Sequence, residues 1–214
     1  GKARLYEDGV FPTADGKARF AALAWKPVAE PRDARYPFSL GTGRLRDHWH
    51  GMSRTGTLGR LFGHVAEPAV QMNPQDMQRR GLKDGELVHV TSRRGSIVVP
   101  VQASTDMGLG QVFMAMHWGP EYLSGAGLSG VNALMPSAFC PQSRQPELKH
   151  AAVRVQRAEL PWQLAAAAWL PAGEALALRE RLRRWGQGLD FFSCVPFGRE
   201  PGERLGLWLH AAAA

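Results

Sequence analysis

Cysteine is nearly missing from this chain: 214 residues hold only Cys140 and Cys194. With no C-x-x-C pair, a disulfide framework is excluded, as is an iron–sulfur or zinc site built from thiolates within these residues. Two scattered thiols read as small buried hydrophobes in a reducing compartment. Long apolar runs are missing too. The longest, Leu164 to Ala172, is about half of a membrane span, so no transmembrane helix is expected. No basic n-region followed by an apolar stretch opens the sequence, so no signal peptide is expected and the location reads as cytoplasmic. There is no Walker loop, no Gly-x-Ser-x-Gly and no Gly-x-Gly-x-x-Gly after a strand, and no thiolate is placed for nucleophilic attack.

What is present is a real core and many turns. Hydrophobic residues make up 44% and charged residues 21%, which excludes a disordered chain or a coiled coil. Gly 24 and Pro 15 favour a turn-rich β or α+β fold over a helical bundle. Lys+Arg 26 against Asp+Glu 19 leaves a net charge of +7, a preference for anionic partners.

Residues 1–35, with Asp8-Gly9, Asp15-Gly16 and three prolines, read as an extended arm lying on something else. From Tyr36 the pattern becomes one of short strands: Tyr36 to Leu40, Ala69 to Met72, Gln111 to Met116 and Ala151 to Gln156. Asn73 caps a helix with Pro74 at its first position, running through Gln75 to Arg80 and stopping at Gly81. Glu86 to Ser92 and Ser96 to Ala103, joined by Arg93-Arg94-Gly95, predict a hairpin. This pattern predicts a small closed barrel with irregular crossings over residues 36–157. Residues 158–214 form an extension. In it, Trp162 to Leu170 and Ala172 to Trp185 read as helical, and a glycine-rich tail from Phe191 to Trp208 as a hairpin. The basic run Arg179, Arg181, Arg183 and Arg184 near a helix C-terminus reads as a solvated face.

Three clusters carry chemistry. Gly41-Thr42-Gly43-Arg44 after a strand offers backbone N–H groups, a hydroxyl and a planar guanidinium to a phosphate. Next come Leu45, Arg46, Asp47, His48, Trp49, His50 and Gly51, an imidazole, aromatic and guanidinium concentration suited to a large heteroaromatic ligand with a charged linker. His48 and His50, with His64 and His117, lack metal-ligand spacing and read as hydrogen-bonding histidines. An apolar strand ending at Met116-His117-Trp118 suggests a pocket mouth, with core packing as the alternative. Finally, Asn132 and Lys149 lie in a loop rich in Pro and Ser. An Asn can pair with the edge of a purine or pterin, and a Lys can meet a phosphate. A polar, phosphate-friendly binding surface follows from the residues alone.

The ordered set of motifs resembles one family. The run Leu40 to Gly56 is similar to the dinucleotide-binding domain of molybdopterin oxidoreductases, and of assimilatory nitrate reductases in particular. So are Glu67-Pro68, Asn73-Pro74-Gln75-Asp76, Gly81 to Gly85, Val90 to Gly95, Met116-His117-Trp118, Val131-Asn132-Ala133 and Gln145 to Lys149. The arm Asp8 to Phe20 resembles the stretch preceding that domain, and Pro161-Trp162 and Pro196 to Arg199 extend the likeness.

The resemblance implies a mainly β fold with helices: a six-stranded double-psi β-barrel of the aspartate-decarboxylase-like kind, plus a small helical and β extension. It implies binding of bis-molybdopterin guanine dinucleotide. Thr42 to Gly51 would hold the phosphates and nearby groups, Asn132 and Lys149 the pterin, and Met116 or His117 would stand near a substrate funnel. The family's metal-ligating residue and its cysteine cluster for a [4Fe–4S] centre are not among these residues. The chain is therefore expected to be a C-terminal part of a larger enzyme reducing nitrate to nitrite. It would contact that enzyme's N-terminal domains, with electrons from a donor protein or subunit, and have no catalytic residue of its own. A formate dehydrogenase or other oxo-acid enzyme is the alternative. A basic nucleic-acid-binding module is a reading of another class, weakened because aromatic and basic residues do not interleave on a strand platform.

Overall fold

The computed structural model describes residues 3–20, 22, 24–124, 130–198 and 204–214. Among the described residues up to Pro37 there is neither helix nor strand, and Leu5, Phe20 and Trp25 stand largely exposed. The regular elements follow as β1 (Phe38–Gly43), β2 (Val70–Met72), α1 (Pro74–Arg79), β3 (Leu87–Thr91), β4 (Ser96–Ala103), β5 (Gln111–Ala115) and β6 (Leu123–Ser124). Then come β7 (Ala151–Arg157), β8 (Trp162–Pro171), α2 (Ala172–Trp185), β9 (Phe191–Phe197) and β10 (Arg204–Ala213).

Six strands close into a barrel in the order β1-β5-β2-β4-β3-β7. The pairs β1–β5 and β2–β4 are parallel, while the other neighbours are antiparallel. Parallel neighbours cannot be joined by a tight turn, so the chain must cross over the barrel twice. This is the mainly β, six-stranded barrel with crossing connections expected above. The strands alternate: β1 sends Phe38, Leu40 and Thr42 inward and leaves the residues between them half-buried. Leu40, Met72, Val88, Val90, Val99, Val112 and Val153 have no exposed surface. Each such side chain stabilises the barrel by about 1.5–3 kcal/mol relative to exposure.

Local signals settle the short elements. The Asn73 side chain accepts from the Gln75 amide at 2.9 Å, Pro74 opens α1, and Gly81 at φ +63° ends the segment. β3 and β4 pair from Leu87↔Pro100 to Thr91↔Ser96, the predicted hairpin. Its turn also pins the arm, where Arg94 pairs with Glu30 and Arg93 with Asp33.

Three expectations are corrected. Gly41-Thr42-Gly43 is not an open loop after a strand. It is the second half of β1, in register with Phe113, Met114 and Ala115 of β5. Trp162 to Leu170 is not helical: it is β8, paired residue by residue with β10 from Trp162↔Ala213 to Pro171↔Arg204. The basic run of α2 is not one solvated face, since Arg179 is half-buried and turns toward Gly56 in the segment after β1.

β8, β9 and β10 of the extension form a second sheet with β6, in the order β6-β9-β10-β8, with β9 and β10 antiparallel as the predicted hairpin requires. Arg199, quoted in the sequence likeness, lies outside the described residues. α2 packs through Ala175, Leu176 and Leu178 against Leu205 and Leu207 of β10. Phe191 of β9 belongs to the barrel core, so the two layers share packing. Among the described residues no helix is long and apolar enough to cross a membrane.

Candidate functional site

A cleft of about 590 Å³ opens beside the barrel. Its lining comes from the loop after β1, from the segment after β5, from Gly130 to Asn132, and from α2. Behind it, Met52, Phe62, Trp118, Tyr122 and Val195 form an apolar cluster separate from the barrel core. Trp118 and Tyr122 meet edge to face at 6.1 Å.

The backbone around this cleft is unusual. His50, Gly51 and Met52 are consecutive residues with φ of +46°, +62° and +64°, and His117 has φ +90°. Each non-glycine residue held there costs about 1–2 kcal/mol, which the surrounding packing must offset. The Gly51 amide donates to His117 Nδ1 at 3.3 Å, so the two left-handed stretches touch.

Several residues singled out in the sequence converge here. His50, Gly51, His117 and Asn132 line the cleft. His48 is buried just behind, its Nδ1 3.1 Å from the Thr55 hydroxyl and its ring 4.5 Å from that of Phe62. Burial, and then the charge of His117, hold the His48 imidazole below its ordinary pKa. Burial likewise lowers His117, helped by the positive charges of Arg44 and His50. Both rings are therefore favoured neutral.

Others are close in sequence but differently engaged. Arg46 grips Asp47 with two bonds of 2.9 Å, and those bonds hold the Asp47 carboxyl below the usual range. Arg44 lies over the exposed Trp49 ring at 5.2 Å. Leu45 is half-buried against the apolar cluster behind the cleft. The Thr42 hydroxyl donates to the Leu148 carbonyl at 2.6 Å, which ties the loop before Lys149 to β1. Gly43 accepts from the Met116 amide at 2.9 Å, and the Met116 side chain packs on the barrel core. Lys149 is exposed and does not line the cleft. Among the described residues no group of three or more His, Cys, Asp or Glu is placed to hold a metal ion.

Tyr122 and Thr57, which no motif marks, and Arg179, which reads from sequence as part of a solvated face, all line the cleft. Tyr122 had a faint signal, four residues after Trp118. Arg179 had none, because its helical spacing is that of any surface arginine. The lining carries one carboxylate, Glu121, and one guanidinium, Arg179, beside the imidazoles of His50 and His117. His117 Nε2 and Trp118 Nε1 are buried without a hydrogen-bond partner among the described residues. The arrangement thus combines a guanidinium, two imidazoles and unpaired ring nitrogens behind them, and suits a polar ligand with anionic groups for Arg179 to meet.

Comparison with known proteins bears on what that ligand is. Residues 38–152 match the family model described as "Molydopterin dinucleotide binding domain". The chain is 40% identical over 158 residues to a nitrate reductase of Klebsiella oxytoca, covering 74% of this chain and 17% of that protein. It is 41% identical over 152 residues to a nitrate reductase of Synechocystis sp., covering 71% and 21%. It is also 33% identical over 147 residues to an F420-dependent formate dehydrogenase subunit alpha of Methanocaldococcus jannaschii, covering 69% and 21%. The chain thus spans about a fifth of the length of these relatives.

Proposed function

This chain belongs to the family of molybdopterin dinucleotide-binding domains, and from that premise we propose that it is the cofactor-closing C-terminal part of a nitrate reductase. One observation carries the reading. The family match begins at the first residue of β1 and ends at the second of β7, so it coincides with the closed barrel beside which the donor-rich cleft opens. The residues present suit such a cofactor, since two buried nitrogens, His117 Nε2 and Trp118 Nε1, lack partners among the described residues.

In this reading the molybdenum centre supplies two-electron redox chemistry, and the chain's own residues bind and orient. Arg44 and Trp49 stack as one unit and offer a guanidinium plane to phosphate or to the dinucleotide ring system. Asn132 reads a pterin edge, and Lys149 meets its anionic groups. Thr42 acts by fixing the loop that carries Lys149. His117, kept neutral and lining the cleft, stands near a substrate funnel, and Met116, packed on the barrel core, backs it. We read the cofactor as the bis-guanine dinucleotide form, with a [4Fe–4S] cluster and the metal ligand in N-terminal domains and electrons from a separate donor protein or subunit. The setting is nitrate assimilation in the cytoplasm. The positive charge serves anionic cofactor and substrate. Nucleic acid is not a partner in this reading, for Glu180 already pairs with two of the helix arginines.

The test uses the full-length protein that carries this chain, purified under anaerobic conditions. It should contain molybdenum and release guanine nucleotide on acid hydrolysis, and it should reduce nitrate. Arg44→Ala should lower molybdenum content, and normal content in that variant would count against the assignment. The formate dehydrogenase relative motivates a parallel assay, in which formate oxidation without nitrate reduction would move the chain to that second activity.

A further inference from the structure

The four arginines of α2 have different fates. Arg183 is clamped on Glu180 at 3.0 and 2.7 Å, Arg184 lies 3.6 Å from the same carboxylate, and Arg181 is exposed. Arg179 turns the other way. Its Nη1 donates to the Gly56 carbonyl at 3.0 Å, its guanidinium lies over the Tyr122 ring at 5.1 Å, and it lines the cleft. Among the described residues no carboxylate lies within salt-bridge distance of it.

A guanidinium is always charged and carries five N–H donors. Half-burying it against the Gly56 carbonyl and the Tyr122 ring and hydroxyl leaves it without a carboxylate partner among the described residues and with donors still open to the cleft. The carbonyl and the ring face together fix the plane of the fork, so little rotamer freedom remains to be lost on binding. Arg179 lines a cleft together with His50, His117 and Trp118, and the last two each have a buried ring nitrogen without a hydrogen-bond partner among the described residues. An oxyanion offers two acceptors at the spacing such a fork presents.

We propose that α2 delivers Arg179 to the cleft as the counter-charge for an oxyanion of the bound molecule, so that the C-terminal extension is part of the site and not only packing for it. The proposal rests on the functional reading above and deepens it. A phosphate of the dinucleotide and the oxo-anion substrate share the chemistry the fork recognises, and the two sources are separable by experiment.

Full-length protein is compared as wild type, Arg179→Gln and Arg179→Lys. Three quantities are read: molybdenum and guanine nucleotide per polypeptide, the KM for nitrate with kcat per molybdenum, and Tm. If the partner is a cofactor phosphate, R179Q loses cofactor content on the order of tenfold, the effect of one charged hydrogen bond. If the partner is the substrate, content stays at the wild-type level and KM rises by a similar factor at constant kcat per molybdenum. In either case R179K is intermediate, since it keeps the charge and loses the fork. R179Q equal to wild type in both readouts overturns the proposal. So does a fall shared equally by R179Q and R179K with the same drop in Tm, which makes Arg179 a strut between helix and barrel. Should R179Q fail to fold, R179K decides: a deficit at unchanged Tm supports the proposal, and parity overturns it. Wild-type protein lacking molybdenum and dinucleotide would instead sink the functional reading itself.

Discussion

The amide of Gly51 donates to Nδ1 of His117 across 3.3 Å, and this bond joins the two left-handed stretches of backbone at the cleft. It also selects a tautomer. With Nδ1 accepting, the proton of the neutral ring sits on Nε2, the buried nitrogen that has no partner among the described residues. A backbone contact between segments 66 positions apart thereby sets which His117 nitrogen keeps the proton.

Gly51→Ala isolates the cost of that backbone. A Cβ at this position meets nothing within 4 Å, so only the φ of +62° opposes the substitution. The variant should lose about 1–2 kcal/mol in urea unfolding with an unchanged m-value. An unaltered midpoint would mean that the loop adopts another conformation.

Gly56 is constrained by space instead. Its added Cβ would run into the Tyr122 hydroxyl and come within 2.7 Å of the Met52 carbonyl. Gly56→Ala should therefore destabilise by about 1–3 kcal/mol or more through overpacking, and Tyr122→Leu in the same chain should recover part of that loss. Thermal unfolding of the single and double variants measures both.

Acid should weaken the fold before any carboxylate responds. His48 and His117 are held below their ordinary value of 6.5, so below that pH the unfolded chain binds protons the folded chain refuses. Their contribution is complete above about pH 6.5 and declines as the pH falls toward the folded values. Asp15, Asp33, Asp47 and Glu180 are held low, so stability tied to them persists until the pH drops below their ordinary values of 3.8 and 4.5. Tm measured between pH 7 and pH 5 should fall, and His48→Gln should flatten the slope. Parallel slopes in the two proteins would exclude His48 as a source.

The two thiols should react very differently. Burial pushes Cys194 up to about 11, whereas hydrogen bonding from Ser143 lowers Cys140, which is half-buried. Under native conditions iodoacetamide should label Cys140 first, with Cys194 protected until the chain unfolds. Peptide mass mapping reads the order directly, and early labelling of Cys194 would contradict its burial.

The amino-acid sequence by itself determined whatever short-range chemistry specifies. Asn73-Pro74 starts α1 because a side-chain acceptor and a fixed φ act within one turn. The β3–β4 hairpin follows from two apolar runs around three turn residues, and the ordered motifs from Leu40 to Lys149 identify the barrel and its family. Tertiary structure alone decided what depends on distant partners. Gly41-Thr42-Gly43 is strand because β5, some seventy residues later, supplies its hydrogen bonds. Alanine favours helix by only tenths of a kcal/mol per residue over most alternatives, so the alanines of β8 yield to ten paired positions on β10. Arg179 carries the same side chain as its neighbours on α2. Only the docking of that helix on Gly56 and Tyr122 turns it from a solvated cation into part of the cleft, since burial and orientation are properties of the packed chain and leave no trace in local spacing.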